Sequence, residues 1–505
     1  MKFLQGALLT ISGWLMSATT SAGEPVVAIT VRPAVERPGT VFEGWGTALA
    51  WFANITGGWP DSERERLADL LYGSERGSER GSEWETEGGS AGLGWTIARY
   101  NIGGGDAPDT KPYLRPGAAV PGFWRQPANA SGERWWRAED ESMWNWSADA
   151  NQRWWLDAIK KRVAAPIFEA FSNSPPWFMT VSGKVSGAEN PHDDNLASGQ
   201  EARFAEYLAR VVEELQRRHN LVFRTLSPFN EPNTDYWHAA NKQEGSHWSP
   251  QRQADMIVAV HSALRARGLD TVISAPDETN SHIFLGDWAA YPPAVREMIG
   301  QLNVHSYGTV HQTAVRDIAR ESGKRLWMSE NDTPLDKDPE NFDDMSSGLA
   351  FAEHVILDLK RLAPSAWVFW QAVEDLSARN GSPGSNWGLI KADLSASAQP
   401  PHPLYVTRKY WVMAQFSRYI KPGYRLVPVD DLDTVAALSP NGQELVLVHV
   451  NGGLLPRQLQ VTLPGWQRRM VVSDQARRIE PTPDLVAPPR SVATVILTRP
   501  VGSAH

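Results

Sequence analysis

Two acidic side chains stand in settings that suit chemistry. Glu231 lies within Ser227-Pro228-Phe229-Asn230-Glu231-Pro232 and Glu330 within Trp327-Met328-Ser329-Glu330-Asn331-Asp332, each at the end of a short apolar run. Two carboxyl groups that converge on one gap can divide the labour of breaking a glycosidic bond. One protonates the leaving oxygen while the other attacks the sugar or activates water. Their surroundings must push the two acidities apart, so that one stays protonated while the other is ionised. A lone glutamate in a loop is most simply a solvated charge. Two at the ends of different strands, one inside Asn-Glu-Pro, call for a shared task.

Other residues fall close by. Asn230 can hydrogen-bond a sugar 2-hydroxyl, a contact that strengthens in the transition state. Tyr307 can hold the second oxygen of the attacking carboxylate. Arg99 is read either as a clamp on a hydroxyl or carboxylate, or as a structural ion pair under the site. His305 is a candidate base or ligand, with a hydrogen-bonded structural histidine as the simpler reading. Trp51, Trp177 and Trp370 offer flat faces for a sugar ring or fill the core. Gln243 and Glu244 either line a subsite or sit in a solvated loop. No His-Glu-x-x-His run or clustered His/Asp spacing points to a metal, and no cofactor is expected. The Asn331-Asp332-Thr333 sequon abuts Glu330 and is read as chance.

These residues need a frame that brings distant positions together. Short apolar runs at 41–46, 96–101, 165–172, 221–229, 271–276, 302–307, 325–330 and 366–371 alternate with helical periods, notably at 61–71, 149–162, 201–218, 251–267, 313–321, 348–361 and 405–418. Eight strand-then-helix units predict a closed (β/α)8 TIM barrel, whose chemistry sits at the C-terminal ends of its strands. An open doubly wound sheet is the rival, but no G-x-G-x-x-G follows the first strand. After Tyr424 the texture becomes alternating and β-branched, with Asn441-Gly442 as a hairpin turn. That predicts a smaller antiparallel β-sandwich side domain over 420–505, joined by a strand from 23–40, around a barrel at 41–419. The polar tandem repeat GSERGSERGSE (73–83) reads as a solvated loop.

Composition removes several function classes. The chain has 505 residues, a formal net charge of −9 and 23 tryptophans but no cysteine. Mild acidity argues against a nucleic-acid partner. Without cysteine there can be no disulfide scaffold, thiolate zinc site or cysteine nucleophile. Residues 1–22 combine Lys2, an apolar stretch and Thr20-Ser21-Ala22, the pattern of a cleaved signal peptide and of export to the periplasm or medium. The apolar run is too short to span a bilayer, so no membrane partner is expected. The expected partner is an oligo- or polysaccharide, bound by a monomer.

The segments GWGTALAWFAN (44–54), IARYNIGGG (97–105), FSNSPPWFMTVSG (171–183), LSPFNEP (226–232), QEGSHW (243–248) and WMSEND (327–332) together resemble glycoside hydrolase family 30, and within it the endo-β-1,6-galactanase group. The likeness runs from about Trp45 to the end of the chain. It implies a retaining mechanism with Glu231 as acid/base, Glu330 as nucleophile and carboxyls about 5–5.5 Å apart. It also implies β-1,6-linked galactan as substrate. A β-1,6-glucanase, β-glucosidase or xylanase of the same barrel type is the alternative, and a non-catalytic carbohydrate-binding protein the remote one.

Overall fold

The computed structural model describes residues 25–74, 92–128, 135–332, 344–376 and 388–500. The signal-peptide pattern at 1–22, most of the tandem repeat and Thr333 of the sequon lie outside the described residues.

Strand β1 (Val27–Val31) precedes eight parallel strands that close a barrel in chain order: β2 (Gly44–Ala48), β3 (Ile97–Asn101), β4 (Ile167–Phe171), β5 (Phe223–Ser227), β6 (Val272–Glu278), β7 (Ile299–His305), β8 (Arg325–Asn331) and β9 (Ala366–Phe369). The (β/α)8 expectation is met. The first barrel strand begins at Gly44, not at 41. Phe42 instead donates its N–H to Tyr424 O at 2.7 Å, tying this segment to the side sheet. Gly46 is required in β2, because a Cβ there would lie 2.0 Å from Ile97 O.

Helices cover the outside: α1 (Phe52–Thr56), α2 (Asp61–Tyr72), α3 (Ala150–Arg162), α4 (Glu201–His219), α5 (Pro250–Ala266), α6 (Ser281–Ala290), α7 (Pro293–Met298), α8 (Gln312–Ser322), α9 (Met345–Arg361) and α10 (Arg408–Ser417). In α4, Glu201 opens the first turn and Arg217, Arg218 and His219 close the last, matching the helix dipole. Asn220 then stops it in the left-handed region at φ 47°. The last helix begins at Arg408, later than its periodicity suggests. Its expected first turn is used by a small sheet of β10 (Val373–Asp375), β11 (Ile390–Ala392) and β12 (Tyr405–Val406).

The remaining strands are β13 (Arg425–Val427), β14 (Thr434–Leu438), β15 (Glu444–Asn451), β16 (Arg457–Val461), β17 (Gln467–Ser473), β18 (Glu480–Thr482), β19 (Val486–Ala487) and β20 (Ser491–Thr498). Six form an antiparallel sheet in the order β13-β14-β15-β20-β17-β18, and β1-β16-β19 form a second sheet. Both faces of the larger sheet are buried, which is why its strands read as nearly unbroken β-branched runs. Val435, Ala437, Val446 and Val448 belong to the barrel's core, while Ala436, Leu445, Leu447 and Val495 pack with Val31 and Leu459 of the smaller sheet. Lys360 of α9 fastens the two bodies by donating to the carbonyls of Val429, Asp431 and Thr434. No described helix is long and apolar enough to cross a membrane.

Candidate active site

The site grows from the strand ends. Glu231 follows β5 in a left-handed backbone conformation, φ 47°, and Asp277 of β6 shares this with φ 61°. Such conformations cost a non-glycine residue about 1–3 kcal/mol and persist only where surrounding bonds enforce them. Here Glu231 N–H donates to Asp277 O at 2.9 Å, and Glu231 O accepts from Thr234 Oγ1 and Trp237 Nε1, both at 2.9 Å. Trp237 fits because Gly245 has no Cβ, which would meet its ring at 2.1 Å. This gives part of the QEGSHW segment a structural reason. Glu330 lies in β8, where both flanking pairings slip register, at Val304/His305 and at Met328/Asn331. Such irregularities turn side chains toward a new direction.

The two carboxyls face each other. One ligand atom from each of Glu231, His305 and Glu330 lies within 4.8 Å of the others. His305 Nδ1 is 3.1 Å from Glu231 Oε1 and 3.5 Å from Glu330 Oε1, while Nε2 is 3.2 Å from Asp277 Oδ1. Tyr307 donates to Glu330 Oε1 at 3.2 Å, and Tyr236 donates to Glu231 Oε2. Arg99 is fully buried and reaches three carboxylates: Glu169 at 2.7 Å, Glu330 at 3.3 Å and Asp277. It is therefore at once a structural ion pair and a clamp on Glu330, so both readings of it apply.

The charges explain the protonation. Burial penalises every carboxylate here. At Asp277 the penalty is overcome by Arg99 and His305, which hold its carboxyl well below the usual range. Burial pulls the His305 imidazole down, but the Glu330 charge and the bonds to Asp277 and Glu231 outweigh it and raise it to about 10. Burial pushes Glu330 up, with Glu231 adding to the rise and His305 and Arg99 opposing it, to about 7. At neutral pH Glu330 thus keeps a share of its proton, beside the Glu231 carboxyl that helps to raise it. The same trio has the spacing to chelate a cation. His305, however, faces carboxylates on both ring nitrogens, which calls for a proton on each in place of a lone pair.

Other candidates lie around this centre. Asn230 is buried with its Oδ1 unpartnered. Trp51 and Trp370 meet edge to face at 5.2 Å in a cluster with Phe171, over which Arg99 stacks at 4.3 Å. No hydrogen bond, ion pair or ring contact links Trp177, Gln243 or Glu244 to either glutamate among the described residues. Trp177 packs against Trp124 and Phe178. Glu244 is buried against the Gly104–Gly105 backbone, where burial and Asp106 raise its carboxyl well above the usual range. It is not a solvated loop residue.

Sequence reasoning missed Glu169 and Tyr236. Glu169 sits inside the apolar run of β4 and declares itself only by a charge in a buried strand. Tyr236 stands five residues after Glu231, and a phenol that close to Asn-Glu-Pro is a signal available in the sequence.

Residues 27–288 match the family model described as O-Glycosyl hydrolase family 30. An endo-beta-1,6-galactanase of Hypocrea rufa is 32% identical over 428 residues, which cover 82% of this chain and 79% of the relative. An exo-beta-1,6-galactobiohydrolase of Bifidobacterium longum subsp. longum is 30% identical across 88% of this chain, which spans only 36% of that longer protein. Among solved structures, the catalytic domain of a GH30 xylanase C from Talaromyces cellulolyticus superposes with a TM-score of 0.67. It covers 93% of this chain and all of that one at 17% identity, a likeness of fold alone.

Proposed function

The chain belongs to O-glycosyl hydrolase family 30 and is a glycoside hydrolase, and from that premise we propose that it cleaves β-1,6-linked galactan, such as arabinogalactan side chains, with retention of configuration. The carrying observation is the meeting of Glu231 and Glu330 oxygens within 4.8 Å. That spacing suits direct attack by one carboxylate, since a water-activating pair stands about 6.5–9.5 Å apart.

In this reading a Glu330 oxygen attacks the anomeric carbon as the bond from that carbon to the leaving oxygen breaks. Glu231 gives its proton to the departing oxygen. Water then loses a proton to Glu231 and attacks the same carbon, and Glu330 departs as a carboxylate. Arg99 and Tyr307 donate to Glu330 and favour the carboxylate it must present as nucleophile. The buried oxygen of Asn230 is the acceptor for a sugar hydroxyl. The galactan assignment is supported by the endo-beta-1,6-galactanase and exo-beta-1,6-galactobiohydrolase relatives, 32% and 30% identical. The pattern at 1–22 supports export.

Two experiments test these parts separately. A fluorinated β-galactoside should form a stable adduct on the peptide carrying Glu330; an adduct on another residue ends that assignment. Incubation with β-1,6-galactan, β-1,6-glucan and xylan should give sized products from the galactan alone. Faster release from glucan or xylan would transfer the enzyme to that substrate.

A further inference from the structure

A second pair of acids lies just behind Glu231. Glu278 ends β6 and Asp287 lies on α6, and both are fully buried. They grip the same residue. Asn233 N–H donates to Glu278 Oε1 and Asn233 Nδ2 donates to Asp287 Oδ1, each at 2.7 Å. The other oxygen of Asp287 accepts from Gln253 Nε2 at 3.1 Å, and that amide also donates to Trp248 O. Trp248 N–H in turn donates to Pro232 O at 2.9 Å. Residues 232 and 233, the two directly after Glu231, are thus bolted down from opposite sides.

The two acids also hydrogen-bond each other. Neither meets a lysine or arginine in an ion pair among the described residues. Two carboxylates cannot share a dry contact without a cation or a proton between them. Both oxygens of each acid accept hydrogen bonds from the chain, from Asn233 and Thr279 on Glu278 and from Asn233 and Gln253 on Asp287, so one proton must lie between the two acids. The titratable groups facing the pair are Glu231 from the β5 loop, His247 (itself 3.0 Å from Asp194) and Tyr291. Burial and the Asp287 charge raise the Glu278 carboxyl well above the usual range, which keeps that proton in place at neutral pH.

We propose that Glu278 and Asp287, sharing one proton, are positioning residues that hold Glu231 against Glu330 by clamping Asn233 through both of its nitrogens. The clamp opposes relaxation of the left-handed backbone at Glu231. It rests on the reading of Glu231 as the acid/base, and it explains why a pair of acids survives with no lysine or arginine paired to either among the described residues.

The test compares two substrates by kcat/KM, which reports the first bond-breaking step. One has a sugar leaving group that must be protonated; the other is a 2,4-dinitrophenyl glycoside that departs without an acid. Whichever β-glycoside the wild type hydrolyses fastest supplies the sugar, so a wrong galactan assignment leaves the comparison intact. Asp287→Ala in the full chain should lose about 10²-fold on the first substrate and little on the second. Asn233→Ala, which keeps both acids, is the second variant and should show the same bias more weakly. Glu278→Gln replaces the shared proton with an amide N–H, so it should keep near-wild-type rates and hold them to higher pH than the wild type. Equal losses on both substrates in Asp287→Ala and Asn233→Ala, or a Glu278→Gln variant as impaired as Asp287→Ala, would overturn the proposal.

Discussion

Two layers of the barrel interior, one turn of the pleat apart, treat polar groups in opposite ways. In the deeper layer Glu169 accepts from Arg99 Nε at 2.7 Å, Asn303 Nδ2 at 2.9 Å, Thr225 Oγ1 at 2.6 Å and Gln301 Nε2 at 3.2 Å. Every lone-pair direction is served by the chain itself. Asn101 lies two residues beyond Arg99 on β3, so it faces the same interior one layer nearer the mouth. Both its side-chain atoms are buried without a partner, as are Asn230 Oδ1, Asp332 Oδ1 and Gln371 Oε1. Leaving such a group unpaired costs about 1–3 kcal/mol. In the function proposed above, these atoms at the mouth find their partners in sugar hydroxyls or in the water that precedes them. On that reading, the Arg99–Glu169 network serves stability, and the polar atoms left short of partners at the mouth serve binding.

The comparison can be broken at the pair of facing carboxyls first. Glu330→Gln should lower turnover by about 10⁴-fold or more while circular dichroism and melting remain native-like. A variant with the wild-type rate ends the assignment. Next is the deep layer. Glu169→Gln leaves Arg99 short of a buried counter-charge and should cost about 3–5 kcal/mol of stability in denaturant unfolding. A cost under 1 kcal/mol would show that the layer does not carry the fold. At the mouth the ranking should invert: Asn101→Leu, of similar shape, should lose about ten-fold or more in kcat/KM with no loss of melting temperature. If it unfolds early and keeps its rate, the two layers have been assigned the wrong way round.

The smallest effect is a difference in pH dependence. The Glu330 carboxyl is raised by burial from its ordinary range near 4.5 to about 7. Between those values the unfolded chain has released a proton that the folded chain still holds, so folding stability falls as pH rises through this window. Glu330→Gln lacks that penalty. Its melting temperature relative to wild type should therefore climb by a few degrees from pH 5 to pH 8. A constant difference would mean that Glu330 is ionised throughout.

Much of the frame was legible because each strand-helix unit carries its own local pattern. The runs ending at Asn101, Glu330 and Gln371 revealed three strand ends to within two residues, and the sharp period of 201–218 revealed α4. The helix α6 was not legible: SHIFLGDWAA is apolar on nearly all sides and contains Gly286, so it shows no periodic face. Its Asp287 then turned out to lie against Glu278 behind the site. The partners of Arg99 were likewise out of reach, since Glu169, Asp277 and Glu330 come from three other strands.

By itself the sequence determined the alternation that closes the barrel, the two acids at its strand ends and the family to which both belong. These follow from periodicity and short motifs, which neighbouring residues carry. The tertiary structure alone decided which charges share a proton, which polar atoms are left without partners and how near Glu231 comes to Glu330. Those depend on distances of a few ångströms between segments far apart in the chain, and on the exclusion of water that lets so short a distance govern charge.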